Sequence, residues 1–287
     1  VLPPQEFSSG FTVTIIDHKG RYVMKSATGK VEIKRNRVKP MPAFEVNEES
    51  SDNTILYTTT DDAKLDISDE AFDVEIYSHT YENGIGRLTF KTTPQTIKEL
   101  AFSLQTRITT LSLPEGVRTI EQGAFLGCKN LVHITLPNTL ESIVTSPNNP
   151  FTECYKLERF YSKYALEDGR SIIIDGKIMC VAPANLFSYS IPEEVTAIGG
   201  YAFVECKRLK SVIIPEGVTS IEKRAFYACA NLDTVICRPV TPPHLGSDPF
   251  LSNSSTRKIY VPTSSLQAYK TDEEWSEYAD DIVGDLE

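Results

Sequence analysis

The chain has 287 residues, of which 40% are hydrophobic and 24% charged, which is typical of a folded protein with room for two domains or for one elongated array plus a smaller unit. Its formal net charge of −10 opposes binding to the phosphates of nucleic acids, so we expect no nucleic-acid partner. The longest purely apolar runs are short, as at 172–174, so we also expect no membrane span.

The first 50 residues are predicted to form a small β unit. Hydrophobic and polar residues alternate over 11–15 and 31–34, as they do in strands with one buried face, and turn residues such as Gly20, Gly29 and Pro40 separate these stretches. The chain begins with Val and without a basic segment leading into an apolar run, so we expect any export signal to precede this sequence.

Residues 51–84 are predicted to form the entry segment of a repeat array and to cap its first coil. Strand-forming residues occur at 55–57 and 64–67, and Asn83-Gly84 is typical of a β-hairpin turn. This turn would lead directly into the first strand of the array.

A period of 23 residues dominates the middle of the chain. The motif Ile-x-x-x-Ala-Phe occurs twice in succession at this step, and later twice again. Its copies start at Ile97, Ile120, Ile198 and Ile221. A period of this length marks an array in which each coil buries its apolar side only against its neighbours. We therefore predict a mostly β repeat solenoid over residues 85–262.

Each coil contains a segment Leu-x-x-[Ile/Val]-x-[Ile/Leu], which in the clearest copies is followed by proline and whose second half alternates as a strand does. Proline cannot donate to a β-ladder, so it ends the strand. Such segments predict about eight coils, with strands stacked about 4.8 Å apart in one parallel sheet. The segments start at Ile85, Ile108, Leu131, Leu157, Leu186, Leu209, Leu232 and Thr256.

The second half of each coil has the pattern Val-x-x-Ile-x-x-x-Ala-Phe. It begins with a short extended piece, as at 117–120, and continues into a tight turn that packs alanine and phenylalanine inside. The stretch is too short for a long crossover helix. We therefore predict short strands and one-turn helical pieces on the back of the array.

Four of the six cysteines occupy one slot of the repeat, Phe-x-x-Cys-x-x-Leu. A shared slot indicates a position in the core rather than a metal-binding or catalytic role. The sequence contains neither a Cys-x-x-Cys pair nor histidines at zinc-ligand spacing. We therefore predict buried free thiols, with structural disulfides as the alternative, and no metal or cofactor. The four are Cys128, Cys154, Cys206 and Cys229.

Residues 163–185 interrupt the period, because the spacing between two successive strands grows to 29 residues. Asp175-Gly176 lies between apolar runs there and is a strong hairpin signal. We predict a hairpin that replaces the back half of this coil and projects from the array, either as a functional element or as a packed decoration.

Residues 263–287 are predicted to form a helical cap, because the open end of the last coil would otherwise expose apolar surface. Ser264 or Ser265 can cap a first turn, and the segment 271–274 fits a capping box for a second helix. We expect the aromatic residues of this segment, Trp275 among them, to seal the core rather than to stack on a ligand.

The repeat unit PEGVTxIxxxAFxxCxxLxx[I/V]x[I/L] resembles the BspA-type leucine-rich repeat of bacterial surface proteins. The resemblance covers roughly residues 85–262, extends to the closing segment and to the strand at 55–60, and leaves residues 1–50 outside. It implies a leucine-rich-repeat right-handed superhelix in an extracellular or cell-surface protein at the outer membrane, with a lipid anchor upstream of this sequence as one means of attachment. Adhesion to host matrix proteins is attributed to some members of the family.

For an enzyme we would expect convergent acid–base or nucleophilic groups. The chain has only four histidines and lacks the Gly-x-Ser-x-Gly, His-Glu-x-x-His and P-loop motifs, so we predict a non-catalytic protein. His133 falls at an outward slot of a repeat strand, which favours a solvated side chain over a general base. The acid-rich segment 61–70 lacks the glycine and the ligand spacing of an EF-hand loop, so it is only a weak candidate for calcium.

The positions between the buried residues of each repeat strand point away from the core and align in two columns across the coils. These columns are as compatible with a ligand face as with a plain sheet surface rich in β-branched residues. We expect a monomer that binds a host or matrix protein or a glycan, and the alternative is a spacer or scaffold that holds another module away from the cell. The candidate ligand contacts are His133, Arg159, Tyr161, Ile213, Ile236, Lys258 and Tyr260.

Overall fold

The computed structural model describes residues 53–286 and four short strands nearer the N-terminus. The chain divides into two compact units, Val1–Ser51 and Asp52–Glu287. The described strands of the first unit are β1 (Gln5–Phe7), β2 (Phe11–Ile16), β3 (Tyr22–Ala27) and β4 (Val31–Ile33).

Within this first unit, β1 pairs with β4 and β2 pairs with β3, and both pairs are antiparallel. The strands predicted at 11–15 and 31–34 correspond to β2 and β4. The turns predicted at Gly20, Gly29 and Pro40 lie outside the described residues.

The second unit is a solenoid of about eight turns built mainly from short strands, which confirms the predicted fold class. One short helix, α1 (Leu266–Thr271), lies between its last two strands. The strands are β5 (Thr54–Thr59), β6 (Ile76–Glu82), β7 (Ile85–Phe90), β8 (Thr96–Ile97), β9 (Ile108–Ser112), β10 (Thr119–Ile120), β11 (His133–Thr135), β12 (Ser142–Ile143), β13 (Arg159–Tyr161), β14 (Ser171–Ile174), β15 (Lys177–Val181), β16 (Ser188–Ser190), β17 (Ala197–Ile198), β18 (Ser211–Ile214), β19 (Ser220–Ile221), β20 (Thr234–Cys237), β21 (His244–Leu245), β22 (Lys258–Pro262) and β23 (Ile282–Leu286).

The array has a front and a back, and each consists of two sheets. The front sheets have the strand orders β13-β11-β9-β5-β7-β6 and β16-β18-β20-β22-β23, and the back sheets have the orders β12-β10-β8 and β14-β15-β17-β19-β21. Repeat strands within one front sheet pair in parallel at a step of one coil, so that Ile134 lies beside Leu111. The predicted parallel stacking is confirmed within each half, but β13 and β16 do not pair with each other.

The strand that starts at Ile85 differs from the prediction, which made it the first parallel strand of the array. It is β7, and it pairs antiparallel with β5 and β6. Asn83 and Gly84 have φ of 53° and 79°, as a tight hairpin turn requires, and this turn forces β6 and β7 to run in opposite directions. β5 in turn covers the edge of β9 in antiparallel pairing, so the entry segment closes the end of the core.

Stacked phenylalanines fill the interior between the front and the back. The ring centroids of Phe102 and Phe125 are 5.3 Å apart with an interplanar angle of 10°, and Phe151 continues the stack at 5.3 Å and 4°. In the second half, Phe203 and Phe226 are 4.7 Å apart. The rings of successive coils therefore form a column in each half, as the shared repeat slot predicts.

The tight turns on the back consist of separate hydrogen-bonded turns instead of a helix. The amide of Ala225 donates to the carbonyl of Glu222 and the amide of Cys229 donates to that of Phe226, over 3.2 and 3.3 Å. Arg224 and Ala228 are left-handed, with φ of 52° and 57°, and such residues interrupt a right-handed helix. The predicted one-turn pieces are therefore present as turns closed by left-handed residues.

All six cysteines are buried free thiols, as predicted. The thiols of Cys128, Cys154 and Cys229 each donate to the carbonyl of a phenylalanine one coil earlier, over 3.1, 3.2 and 3.0 Å. The slot thus supplies a small apolar side chain that also hydrogen-bonds one backbone acceptor between coils.

The hairpin β14–β15 turns at Asp175 and Gly176, which have φ of 49° and 74°. β15 occupies the place of a back strand, because Ile178 lies beside Ile198 of β17 in parallel pairing. The predicted replacement of the back half of this coil is therefore confirmed. The predicted projection from the array is wrong, because Ile172 and Ile178 are fully buried and the apolar runs beside the turn form part of the core.

The C-terminal segment closes the array as predicted, although by a different structure. Trp275 and Tyr269 are fully buried with ring centroids 4.9 Å apart, and the indole N–H of Trp275 donates to the carbonyl of Pro243 over 2.7 Å. Ser265 precedes α1 but makes no side-chain capping hydrogen bond.

The second helix predicted after residue 271 is wrong. Ser276–Tyr278 form a single 3-10 turn, and β23 then extends the second front sheet by pairing with β22. Without β23, β22 would present an unpaired row of backbone groups, and a strand in that place satisfies them. This pairing outweighs the helical pattern of the local sequence.

We expect Phe125→Ala and Phe203→Ala each to lower the free energy of unfolding by about 3–5 kcal/mol, because each change leaves a cavity within a column of stacked rings. The outward substitution Thr135→Ala should cost about 0.5 kcal/mol or less. Urea denaturation measures all three variants. Equal midpoints for the core and surface variants would show that the assignment of inside and outside is incorrect.

A second prediction concerns the thiols. Burial raises the pKa of Cys128 and of Cys237 to about 12. Since the thiolate is the reactive form, labelling of the native protein near pH 8 should be very slow for these side chains. Labelling in denaturant without reductant should count six thiols, and a count of four or fewer would contradict the free-thiol assignment.

A third prediction uses two equivalent positions in different coils. Gly127 has φ of 71°, and a Cβ there would come within 2.7 Å of Leu104, whereas the equivalent Ala228 is already left-handed. We expect Gly127→Ala to destabilise the protein by more than about 1 kcal/mol, and Ala228→Gly to stabilise it by up to about 1 kcal/mol through relief of backbone strain.

Thermal denaturation compares these variants with Ala230→Gly. Ala230 is exposed and its φ is not positive, so glycine there should only destabilise. If Ala228→Gly lost as much stability as the Ala230→Gly control, the backbone at Ala228 would not be strained.

Candidate ligand-binding surface

The outward residues of the front strands align in two columns, as the repeat predicts. The strand register places His133 between Thr110 and Arg159. Column A contains Thr110, His133 and Arg159 in the first half, and Ser188, Ser211, Thr234 and Lys258 in the second. Column B contains Ser112, Thr135 and Tyr161 in the first half, and Ser190, Ile213, Ile236 and Tyr260 in the second.

The break between β13 and β16 divides the candidate contacts into two groups. β16 places the exposed Ser188 and Ser190 ahead of β18, so one whole coil separates Tyr161 from Ile213. The two columns predicted from the sequence do not include this coil. The longer spacing that precedes it was the available signal for its position.

The first group consists of His133, Arg159 and Tyr161. The rings of His133 and Tyr161 meet edge to face with centroids 5.7 Å apart, and the Arg159 guanidinium lies 5.7 Å from the centre of the Tyr161 ring. Arg159 also donates to the carbonyl of Glu167. Burial lowers the pKa of His133, so its neutral form is favoured in the folded protein.

The loop that follows β13 explains why the first front sheet ends there. The amide of Phe160 donates to the carbonyl of Gly169 over 2.8 Å, so this loop occupies the edge that another repeat strand would have taken. A Cβ at Gly169 would lie 2.3 Å from Arg159, so glycine allows the loop to approach this side chain closely. Arg159 is therefore held by the loop and is only partly exposed.

The second group contains a continuous row of apolar side chains on a polar sheet. Ile213 lies beside Ile236, Ile236 beside Tyr260, and Tyr260 beside Val283 of β23. All four are partly exposed, and we call them the apolar row. The sequence does not predict Val283 as an outward residue of the front sheet, because its local pattern is typical of a helix.

Lys258 of column A lies at the same end of the array as Tyr260. Its ammonium group donates to the carbonyl of Asp280 over 3.0 Å, and the residue remains exposed. The polar neighbours of the apolar row in column A are Ser211, Thr234 and this lysine.

The sequence matches the BspA type leucine rich repeat region in six copies, over residues 57–170 and 179–272. The chain belongs to this family. The matched segments include the front strands of both halves, while β23 and the first unit lie outside them. No curated protein matches the chain.

Solved structures with a similar fold include three bacterial leucine-rich proteins. A leucine-rich cell surface protein from Faecalibacterium prausnitzii is 23% identical with a TM-score of 0.39, over 54% of this chain and 48% of its own. A leucine-rich repeat protein from Eubacterium ventriosum is 16% identical with a TM-score of 0.37, over 53% and 47%. The leucine-rich repeat protein of T. pallidum is 19% identical with a TM-score of 0.32, over 69% and 84%. The match spans about half the length of the first two.

Within this BspA-type array, the histidines of the described residues make structural contacts. The hydroxyl of Tyr57 lies 2.6 Å from Nε2 of His79, and Nδ1 of His244 lies 2.7 Å from the Glu274 carboxylate. Together with the packing of His133 on Tyr161, these contacts account for three of the four histidines, and His18 lies outside the described residues.

Across the described residues, no group of three or more His, Cys, Asp or Glu side chains is placed to hold a metal ion. In the same part of the chain, no helix is long and apolar enough to cross a membrane. The structure therefore does not support a calcium site in the acid-rich segment 61–70. The carboxylate of Asp61 pairs with Arg107 over 2.8 Å.

Proposed function

We propose that this chain is a non-catalytic recognition module of a bacterial cell-surface protein and that the apolar row on its second front sheet is the contact for a protein or glycan outside the cell. The observation that carries the proposal is the alignment of Ile213, Ile236, Tyr260 and Val283 across four adjacent strands. Membership of the BspA-type family supports the cell-surface setting.

Recognition surfaces commonly centre on a few aromatic and aliphatic side chains that lose their water on binding, with polar groups around them. The apolar row has this composition, because Ser211 and Thr234 flank it in column A and Lys258 lies beside Tyr260. The strands that carry Ile213, Ile236 and Tyr260 are paired on both sides, so these side chains need little reordering on binding, and this lowers the entropic cost of association.

The first group supports the proposal less strongly. Arg159 is partly covered by the 162–169 loop, and His133 packs against Tyr161. Since one coil separates this group from the apolar row, the two would contact different parts of a large ligand or different ligands. Attachment of the protein to the outer membrane through a lipid anchor also belongs to this proposal.

A screen of the purified chain against arrays of glycans and of host matrix proteins tests the proposal directly. Binding to a defined ligand is the expected result. Negative results on both arrays would favour the alternative, in which the solenoid is a spacer or scaffold for another module.

With a ligand from that screen, we expect the double variant Ile213→Asp, Ile236→Asp to bind at least tenfold more weakly, a loss of about 1.4 kcal/mol in binding free energy. Both side chains point outward, so the fold should be retained, and circular dichroism and a thermal melt check this. Titration calorimetry measures the affinity.

The matched control is Ser211→Asp with Thr234→Asp. These residues lie on the same two strands in the neighbouring column, and the change adds the same charge without removing apolar surface. We expect a smaller loss of affinity than in the isoleucine variant. Unchanged affinity in a folded isoleucine variant would place the site elsewhere, with the first group as the next surface to examine.

A further inference from the structure

The hairpin coil lacks the tight turn that the coils on either side of it contain. Ile178 lies beside Ile198 on the back, and Ser188 lies beside Ser211 on the front, so the segments that link back to front in these two coils are equivalent. From Ile178 to Leu186 this segment has eight residue steps, against eleven from Ile198 to Leu209. The missing residues are those of the Ala-Phe turn.

The shortened segment leaves a notch at the edge of the array where the front strands begin. Its volume is about 410 Å³, within the range of small-ligand sites. Its floor is the chain at 183–185, one wall carries Tyr155 and Lys156, and the opposite wall carries Lys207 and Arg208. We call this cavity the notch.

Two cationic side chains of one wall reach into the notch. The ammonium group of Lys207 donates to the hydroxyl of Tyr155 over 3.2 Å, across the shortened coil. Arg208 donates to the side-chain oxygen of Asn185 over 2.7 Å, and its guanidinium lies 5.7 Å from the centre of the Phe187 ring. Burial alone would lower the pKa of Lys207, but the hydrogen bond to Tyr155 and the charge of Glu205 outweigh it and raise the pKa, so this lysine is charged at neutral pH.

Glu205 supplies an acceptor in the same cavity. Its Oε1 lies 3.5 Å from the Lys207 ammonium group, while its Oε2 is buried and has no hydrogen-bond partner among the described residues. The Glu205 side chain is 19% exposed, so a ligand O–H or N–H would reach this carboxylate at Oε1 rather than at the buried Oε2. The notch therefore presents positive charge and a carboxylate acceptor to the same small volume.

We propose that the notch binds a carboxylate-bearing sugar, such as a uronic acid unit of an acidic glycan, with the sugar carboxylate at Lys207 and Arg208 and a ring hydroxyl donating to Oε1 of Glu205. A guanidinium and an ammonium group are the usual partners of a carboxylate. A single uronic acid ring carries both the carboxylate and several hydroxyl donors, so it can meet both requirements within the notch.

The charges of the lining favour this ligand over other anions. Lys156, Lys207 and Arg208 face Glu158 and Glu205, so the five charges sum to a small positive value in a chain whose net charge is −10. The free sulfate ion carries two charges and offers no O–H or N–H donor to Glu205.

Titration calorimetry of the full chain with short oligogalacturonides and with a hyaluronan tetrasaccharide tests the proposal. Galacturonic and glucuronic acid differ in one hydroxyl, so the two probes cover both epimers. The same oligosaccharides with their carboxyl groups reduced to alcohols serve as neutral controls. We expect binding of at least one acidic probe, and binding at least tenfold weaker by its reduced form.

The variants Lys207→Gln and Arg208→Gln should each weaken binding of the acidic probe at least tenfold. Arg238→Gln is the matched control, because Arg238 is an exposed cation that pairs with Glu193 over 3.4 Å and follows its front strand, at the opposite edge from the notch. The Arg238→Gln variant should bind the acidic probe with the same affinity as the unmodified chain. Thermal melts establish that all three variants are folded.

Several outcomes would overturn the proposal. These are no binding of either acidic probe up to about 10 mM, equal binding of the reduced probe, or an equal loss of affinity in Arg238→Gln. Binding of hexaglutamate in place of the sugars would identify an acidic-peptide site instead. None of these results bears on the apolar row, whose test uses different variants.

Discussion

Each coil of this protein can bury its apolar side only against the next coil, and the rest of the structure depends on that constraint. Phe102, Phe125 and Phe151 stack at 5.3 Å because equivalent residues of parallel coils must lie directly beside one another. The same register aligns the outward residues in columns. A binding surface that extends over several coils is therefore a consequence of how the core is packed.

The constraint also requires both ends of the array to be closed, and the two ends are closed differently. At the N-terminal end, β5 covers the edge of β9 in antiparallel pairing. At the C-terminal end, Trp275 and Tyr269 cover the last coil while β23 covers the edge of β22. Because β23 belongs to the front sheet, the closure of the core also adds Val283 to the apolar row.

The hairpin coil is the point at which both the front and the back sheets are interrupted. Its residues contribute to both halves of the core, since Ile172 and Cys180 pack with the first half and Ile178 and Val181 with the second. The hairpin supplies a back strand but no Ala-Phe turn, so the core divides there into two clusters and the edge of the array is left open. One local change in the repeat thus accounts for the divided surface and for the notch.

The sequence by itself determined the period, the inward and outward positions, the buried cysteines and the hairpin at Asp175-Gly176, because these depend on spacing and on local turn chemistry. It did not determine the direction of β7, the strand at Ile282–Leu286 or the place of Ser188 and Ser190 between the candidate contacts. Those features depend on which backbone edges are left unpaired once the coils have stacked. Only the tertiary structure defines such edges, because the strands that form them are far apart in the chain.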